Sequence, residues 1–184
     1  MSSSSAVPSP FRDRLWPRAP LLAGAYRPWL TDRGSLTQRI QTRCGEFRVD
    51  VVFQGLRAPV QDEAALVARG EHDPVLVREV YLYADGVPVV FAHSIARWRD
   101  VHGVWRALAG LGNRSLGSRL FSDARVQRCP LHQRRLTARH PLHRRAVAAV
   151  PGIVAPLWAR RSLFVRNNSP ILVTEVFLPG ILDL

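Results

Sequence analysis

The chain contains no lysine. All 26 of its basic residues are arginine, set against 14 acidic ones in 184 residues, for a formal net charge of +12. Without lysine there is no Schiff base to pyridoxal phosphate or to a carbonyl substrate, and no lysine to reach phosphates from a Walker-type loop. Cysteine is nearly as scarce: Cys44 and Cys129 are too few to staple a domain of this size, and they fit a reducing compartment. No stretch approaches the roughly 20 apolar residues that cross a bilayer. The start, MSSSSAVPSPFRDRLWPRAP, lacks the apolar centre of a secretory signal. A cytoplasmic location is therefore the expectation, with no membrane insertion.

What is present is arginine, a permanently charged planar fork that matches a carboxylate or phosphate with two hydrogen bonds. Biased codon usage accounts for many surface arginines, but the composition still favours an anionic partner. Nucleic acid is a weak candidate: the arginines spread from residue 12 to 166, and no helix-turn-helix, zinc-finger or RNP signature accompanies them. Nucleophile elbows and dinucleotide-type glycine loops are also missing; GLGNRSLG follows a helical pattern rather than a strand.

A hydrophobic content of 47% predicts one folded domain with a single core. Residues 1–20, rich in Ser and Pro, read as a disordered lead, and residues 21–184 as the domain. In WLTDRGSLTQRIQ, Thr31 or Ser35 can cap a short helix with Leu36 and Ile40 on one face. EFRVDVVFQG alternates like a strand. The stretch PVLVREVYLYADGVPVVFAHSIA reads as a hairpin turning at Asp85 and Gly86, with Pro88 placing that end of the second strand at an edge or opposite a widely spaced pair. DVHGVWRALAGLG carries Val101, Val104, Trp105, Leu108 and Leu111 at helical spacing, with Asp100 as N-cap. The basic, proline-punctuated segment 122–156 reads as an excursion from the core. RRSLFVRNNSPILVTEVFLPG closes the chain as a second hairpin. Strands joined by turns with helices inserted between hairpins predict an antiparallel α+β sheet with helices on one side.

Glu175 is the only acidic residue between Asp123 and Asp183, and it lies in the middle of an apolar strand. There its ionised form requires a cation or donor. In the first hairpin Arg78 shares a face with Leu76, Val80 and Leu82, and Glu79 shares the other, so one of the two should face inward. Either Arg78 and Glu175 form a buried salt bridge, or Glu175 lies on a solvated patch, or the two stand at opposite ends of a pocket that binds a carboxylate and acts on a hydroxyl or proton. Cys129, His132, His140 and His143 are zinc-compatible types, but arginines crowd the segment and no acid orients the imidazoles. They read as solvated loop residues, and no metal or other cofactor is expected.

Four ordered blocks, VREVYLYADGVPVVFAHSIA, LGNRSLGSRLF, LWARRSLF and PILVTEVFLP, resemble chorismate pyruvate-lyase, which makes 4-hydroxybenzoate and pyruvate from chorismate for ubiquinone synthesis. The resemblance extends more weakly through WLTDRGSLTQRI. It implies a cytoplasmic, cofactor-free, monomeric enzyme with a six-stranded antiparallel sheet and an internal ligand site closed by helical flaps. By the same resemblance Arg78 holds the ring carboxylate, Glu175 meets the ring hydroxyl, and the main-chain N–H groups of Leu116 and Leu36 make further contacts. Arg78 and Glu175 are then the catalytic pair. His93 stands where the family carries a site-lining arginine, and 122–156 is longer than the family pattern. The alternative is a small-molecule-sensing domain of similar fold, binding an aromatic carboxylate without catalysis. Such a sensor would normally carry a DNA-binding unit, for which about 20 residues ahead of the domain leave no room.

Overall fold

Two hairpins organise the molecule, and each turns on residues that tolerate positive φ. Asp85 (φ 49°) and Gly86 (φ 80°) join β2 (Val75–Ala84) to β3 (Val87–Arg97); Asn167 (φ 48°) and Asn168 (φ 60°) join β6 (Leu157–Arg166) to β7 (Ser169–Phe177). Such two-residue turns match the twist of the strands they connect. The computed structural model describes residues 13, 15–20, 22–67 and 74–184.

The two hairpins pair through β3 and β7, and β1 (Phe47–Arg57) adds to β2 with a register shift between Val51 and Phe53. On the far side of β6 lie β4 (Gln127–Arg128) and β5 (His132–Leu136), both antiparallel to it. Among the described residues the sheet thus has seven strands in the order β1-β2-β3-β7-β6-β4, with β5 also on β6, rather than the six expected. The basic segment, which the sequence assigned to an excursion, supplies two of them, β4 and β5. Pro130 lies between β4 and β5, and Leu136, Leu142 and Ala146 from this segment are buried in the core. Cys129, His132 and His143 are buried too, so they are not solvated loop residues.

Among the described residues seven short α-helices complete the fold: α1 (Arg27–Thr31), α2 (Leu36–Gln41), α3 (Gln61–Val67), α4 (Trp98–Val101), α5 (Arg106–Ala109), α6 (Leu116–Ser122) and α7 (Pro141–Ala146). They cover both faces of the sheet, not one. On one face Trp29, Leu30, Leu36 and Ile40 pack on Val80, Leu82 and Phe177, while Val101, Trp105, Leu111 and Leu120 pack on Leu76, Phe164 and Ile171. On the other face Leu66 and Val67 meet Val77 and Ile95, and Leu142 and Ala146 meet Tyr81, Phe91 and Val176. Because both faces are covered, Arg78 and Glu79 are both buried, where the sequence pattern required only one to turn inward.

Two further expectations change. The helix expected from Asp100 is two helices, broken over 102–105, and Asp100 lies inside the first, where it accepts from Arg97 Nε at 2.7 Å. Pro88 pairs only with Tyr83 of β2, beside a register shift, and the β3–β7 ladder begins at Val90, so that end of β3 lies beyond its second neighbour, in keeping with the missing N–H. Of the lead expected to be disordered, residues 1–12 and 14 lie outside the described residues. Trp16 in that lead is only 1% exposed and donates its indole N–H to Asp62 Oδ2 at 2.8 Å, and Asp13 pairs with the buried Arg161. A single large aromatic carries enough apolar surface to anchor a segment that is otherwise poor in it.

Candidate functional site

Strand alternation places Arg78, Val80 and Leu82 of β2, Ala92 and Ser94 of β3, and Val173 and Glu175 of β7 on one face. The starts of α2 and α6 stand over this face. Between them is a cavity that, together with the open space at its mouth, leaves about 670 Å³ unfilled by atoms. Of the five site residues singled out in the sequence, Arg78, Glu175, Leu36 and Leu116 line it.

Arg78 and Glu175 do not bond to each other. Arg78 Nη1 donates to Gln54 Oε1 at 2.8 Å, and Nη2 to the carbonyl oxygens of Gly112 (2.8 Å) and Arg114 (3.3 Å). The α5–α6 loop thus fixes the guanidinium from above, with Gly112 at φ 51° letting the chain turn its carbonyl toward it. These bonds involve Nη1 and Nη2 and leave Nε out. Burial pushes the Arg78 guanidinium below its ordinary range, as expected for a cation withdrawn from water.

Glu175 faces the same space from the opposite side of the sheet centre. Its Oε2 accepts from Arg160 Nε at 2.5 Å, while Oε1 accepts no hydrogen bond among the described residues. Arg160, directly opposite Glu175 in the β6–β7 register, is only 1% exposed, and its Nη1 donates to Trp29 O (2.7 Å) and Asp32 O (2.8 Å). The cation that this half-buried carboxylate requires is therefore Arg160, not Arg78. The sequence carried a signal for it: counting back equal steps from a turn at Asn167 and Asn168 lands on Arg160 and Glu175.

Leu36 and Leu116 are the first residues of α2 and α6, following Ser35 and Ser115. The first N–H groups of a helix have no intrahelical acceptor, so both helix starts offer main-chain donors. Thr37 Oγ1 and Ser115 Oγ lie 2.7 Å apart and tie the two starts together over the cavity. A Cβ on Gly117 would sit 3.4 Å from Thr37 Oγ1, so the helices meet closely there.

His93, expected as a possible lining residue, does not line the cavity. Its neighbours Ala92 and Ser94 do, and the alternation turns His93 to the other face. There Nδ1 lies 3.0 Å from Glu79 Oε1 and Nε2 3.3 Å from Glu63 Oε2, with His93 and Glu63 essentially inaccessible. Burial pushes the imidazolium down, but the two carboxylates outweigh it and hold His93 up at about 9. Burial likewise raises the Glu79 carboxyl, and His93 and Arg145 more than offset this, leaving it below its ordinary range. The cluster is a buried ion network behind the site.

Besides Arg160, the sequence did not single out two arginines that line the cavity: Arg114, ahead of α6, and Arg128, on β4, at the mouth. Among the described residues no cluster of three or more His, Cys, Asp or Glu could hold a metal ion, and no helix is long and apolar enough to cross a membrane.

The chorismate lyase family model matches residues 14–183. A probable chorismate pyruvate-lyase of Nitrosospira multiformis is 50% identical over 171 residues, covering 92% of this chain and 95% of that protein. A second, from Nitrosomonas europaea, is 49% identical over 167 residues, covering 90% and 94%. Among solved structures, PhnF from Mycobacterium smegmatis aligns with a TM-score of 0.56 at 15% identity, over 81% of this chain and 65% of that one, a likeness of fold alone. The chain belongs to the chorismate lyase family.

Proposed function

We propose that this protein is a chorismate pyruvate-lyase that converts chorismate to 4-hydroxybenzoate and pyruvate, the first step of ubiquinone synthesis, in the cavity between Arg78 and Glu175. One observation carries the placement: a cation and a carboxylate from separate hairpins line the same cavity, each held by other partners rather than by the other. An aromatic acid with a carboxyl at one end and a hydroxyl at the other matches that arrangement.

The chemistry asks little of the protein beyond orientation and charge. Chorismate loses the hydrogen at C4 and the bond from C3 to the enol-ether oxygen; the bond's electrons leave with the enolpyruvate oxygen, and the ring becomes aromatic. Arg78, with the N–H groups of Leu36 and Leu116, receives the ring carboxylate. Glu175 stands at the C4 hydroxyl, where it orients that group or accepts the departing proton. Arg160 holds the Glu175 carboxylate in place. The short helices α2 and α6 close the cavity, so their separation governs exchange of ligand with solvent. On this reading the enzyme needs no cofactor and works as a monomer in the cytoplasm.

Incubating the purified protein with chorismate tests the reading. Equal amounts of 4-hydroxybenzoate, followed by its absorbance, and of pyruvate, measured separately, are expected. A protein that binds 4-hydroxybenzoate yet leaves chorismate intact would instead be a sensor of the same fold.

A further inference from the structure

Chorismate carries two carboxylates, and the cavity described so far accounts for only one. The second belongs to the enolpyruvyl arm, which must also sit somewhere while the C3–O bond breaks. His93 is not available to it, being committed to Glu79 and Glu63 on the other face of the sheet.

Arg128 is placed for that role. It is half-buried on β4, and its guanidinium lies over the rings of Phe121 (5.2 Å) and Phe164 (5.3 Å), which stand edge to face at 5.7 Å. Nη1 donates to Arg33 O at 2.5 Å and, less closely, to Gly34 O at 3.4 Å, while Nε reaches Ser162 Oγ at 3.4 Å. Nη2 has no acceptor among the described residues. Burial pushes the group down to about 10, with the charge of Glu175 opposing, so it remains a cation near neutrality and feels that carboxylate across the cavity. The two N–H groups on Nη2 are therefore left to meet a carboxylate with charge-assisted bonds, while the rings beside the guanidinium hold it in place.

Its position adds direction. Arg128 and Phe121 line both the cavity and an adjoining open groove, which also carries Arg18, Arg33 and Gln133. An arginine-lined groove that opens onto the cavity attracts a dianion toward the mouth.

We propose that Arg128 receives the enolpyruvyl carboxylate of chorismate at the cavity mouth, while Arg78 receives the ring carboxylate inside. Arg128 is thus a specificity-determining residue that separates substrate from product, because 4-hydroxybenzoate has lost the group it holds. The proposal rests on the assignment of the cavity to chorismate.

The test compares ligands with one and two carboxylates. In Arg128→Gln, kcat/KM for chorismate is expected to fall about 10- to 100-fold, the size of a lost hydrogen-bonded charge contact, while the Kd for 4-hydroxybenzoate stays within about twofold. With the intact enzyme, 3-(carboxymethoxy)-4-hydroxybenzoate should bind about tenfold or more tighter than 4-hydroxybenzoate, and Arg128→Gln should remove that advantage. Arg128→Lys, which keeps the charge, should restore part of it, and Arg119→Gln on the exposed side of α6 should change nothing. The dianion series on the intact enzyme stands even if Arg128→Gln fails to fold: equal affinity for the two ligands overturns the proposal. So does an unchanged kcat/KM in Arg128→Gln, or an equal loss for both ligands. An intact protein that neither cleaves chorismate nor binds 4-hydroxybenzoate would overturn the assignment of the cavity itself.

Discussion

Arg160 and Glu175 face each other across β6 and β7, Nε to Oε2 at 2.5 Å, and the arginine is almost wholly enclosed while the glutamate opens onto the cavity. A carboxylate on an apolar strand is thereby given its countercharge from behind, which leaves its other oxygen and the cavity free. The neighbouring Arg161, equally buried, points to the opposite face and pairs with Asp13 and Asp62. Asp62 is correspondingly held far below the ordinary carboxylate range: burial pushes it up, and His140, Arg161 and Trp16 more than reverse that. An arginine doublet in a strand covered on both sides thus serves Glu175 on one face and Asp13 and Asp62 on the other.

Replacing Arg160 by Met should therefore cost about 3 to 5 kcal/mol, since a buried charge pair is broken and two carbonyls lose their donor. Urea unfolding measures this. Adding Glu175→Gln to Arg160→Met should recover part of the loss, because no unpaired carboxylate then remains. Two losses that simply add would mean the residues do not interact.

Glu175→Gln alone keeps shape and hydrogen-bonding capacity but removes the ability to accept a proton. If Glu175 is the general base, kcat should drop by about 100-fold or more, with affinity for 4-hydroxybenzoate changing much less. Near-normal turnover would leave Glu175 the task of orienting the hydroxyl, with the C4 hydrogen passing within the substrate to the enolpyruvyl methylene.

His93 sets a pH dependence of stability. Its folded-state value, about 9, lies above the 6.5 of a free imidazole. The folded protein therefore keeps a proton that the unfolded chain releases. The contribution is complete below about 6.5 and is lost as pH rises through about 9. Thermal unfolding from pH 6 to 10 should show Tm falling across that window. His93→Leu, which leaves the inaccessible Glu63 without a cation and Glu79 with Arg57 and Arg145 alone, should lower stability by about 3 to 5 kcal/mol at neutral pH and flatten the profile. A Tm that is level in the unmodified protein over this range would contradict the ion network.

Much of this arrangement was legible before any coordinates. Period-two alternation put Arg78 with Val80 and Leu82, and Val173 with Glu175, on shared faces, and Asp85-Gly86 marked the first turn. Local pattern does not report which faces meet, so the choice between a salt bridge and a pocket stayed open; the answer depended on Arg160 arriving from the partner strand. The break at 102–105 leaves no mark in the sequence pattern, because apolar spacing persists through two short helices that bend around the same core. The basic segment hides its packing residues, Leu136, Leu142 and Ala146, among more numerous arginines, and β4 and β5 gain their pairing only from β6. Trp16 is hidden in a similar way, one ring in a composition rich in Ser and Pro.

The most direct measurement is calorimetric titration of 4-hydroxybenzoate into the intact protein and into Arg78→Ala. With the ring carboxylate held by a buried guanidinium, the variant should lose about 2 to 5 kcal/mol of binding, a fall in affinity of roughly 30-fold or more. An unchanged Kd would mean that the aromatic acid does not lie between Arg78 and Glu175, and would contradict the account at its centre.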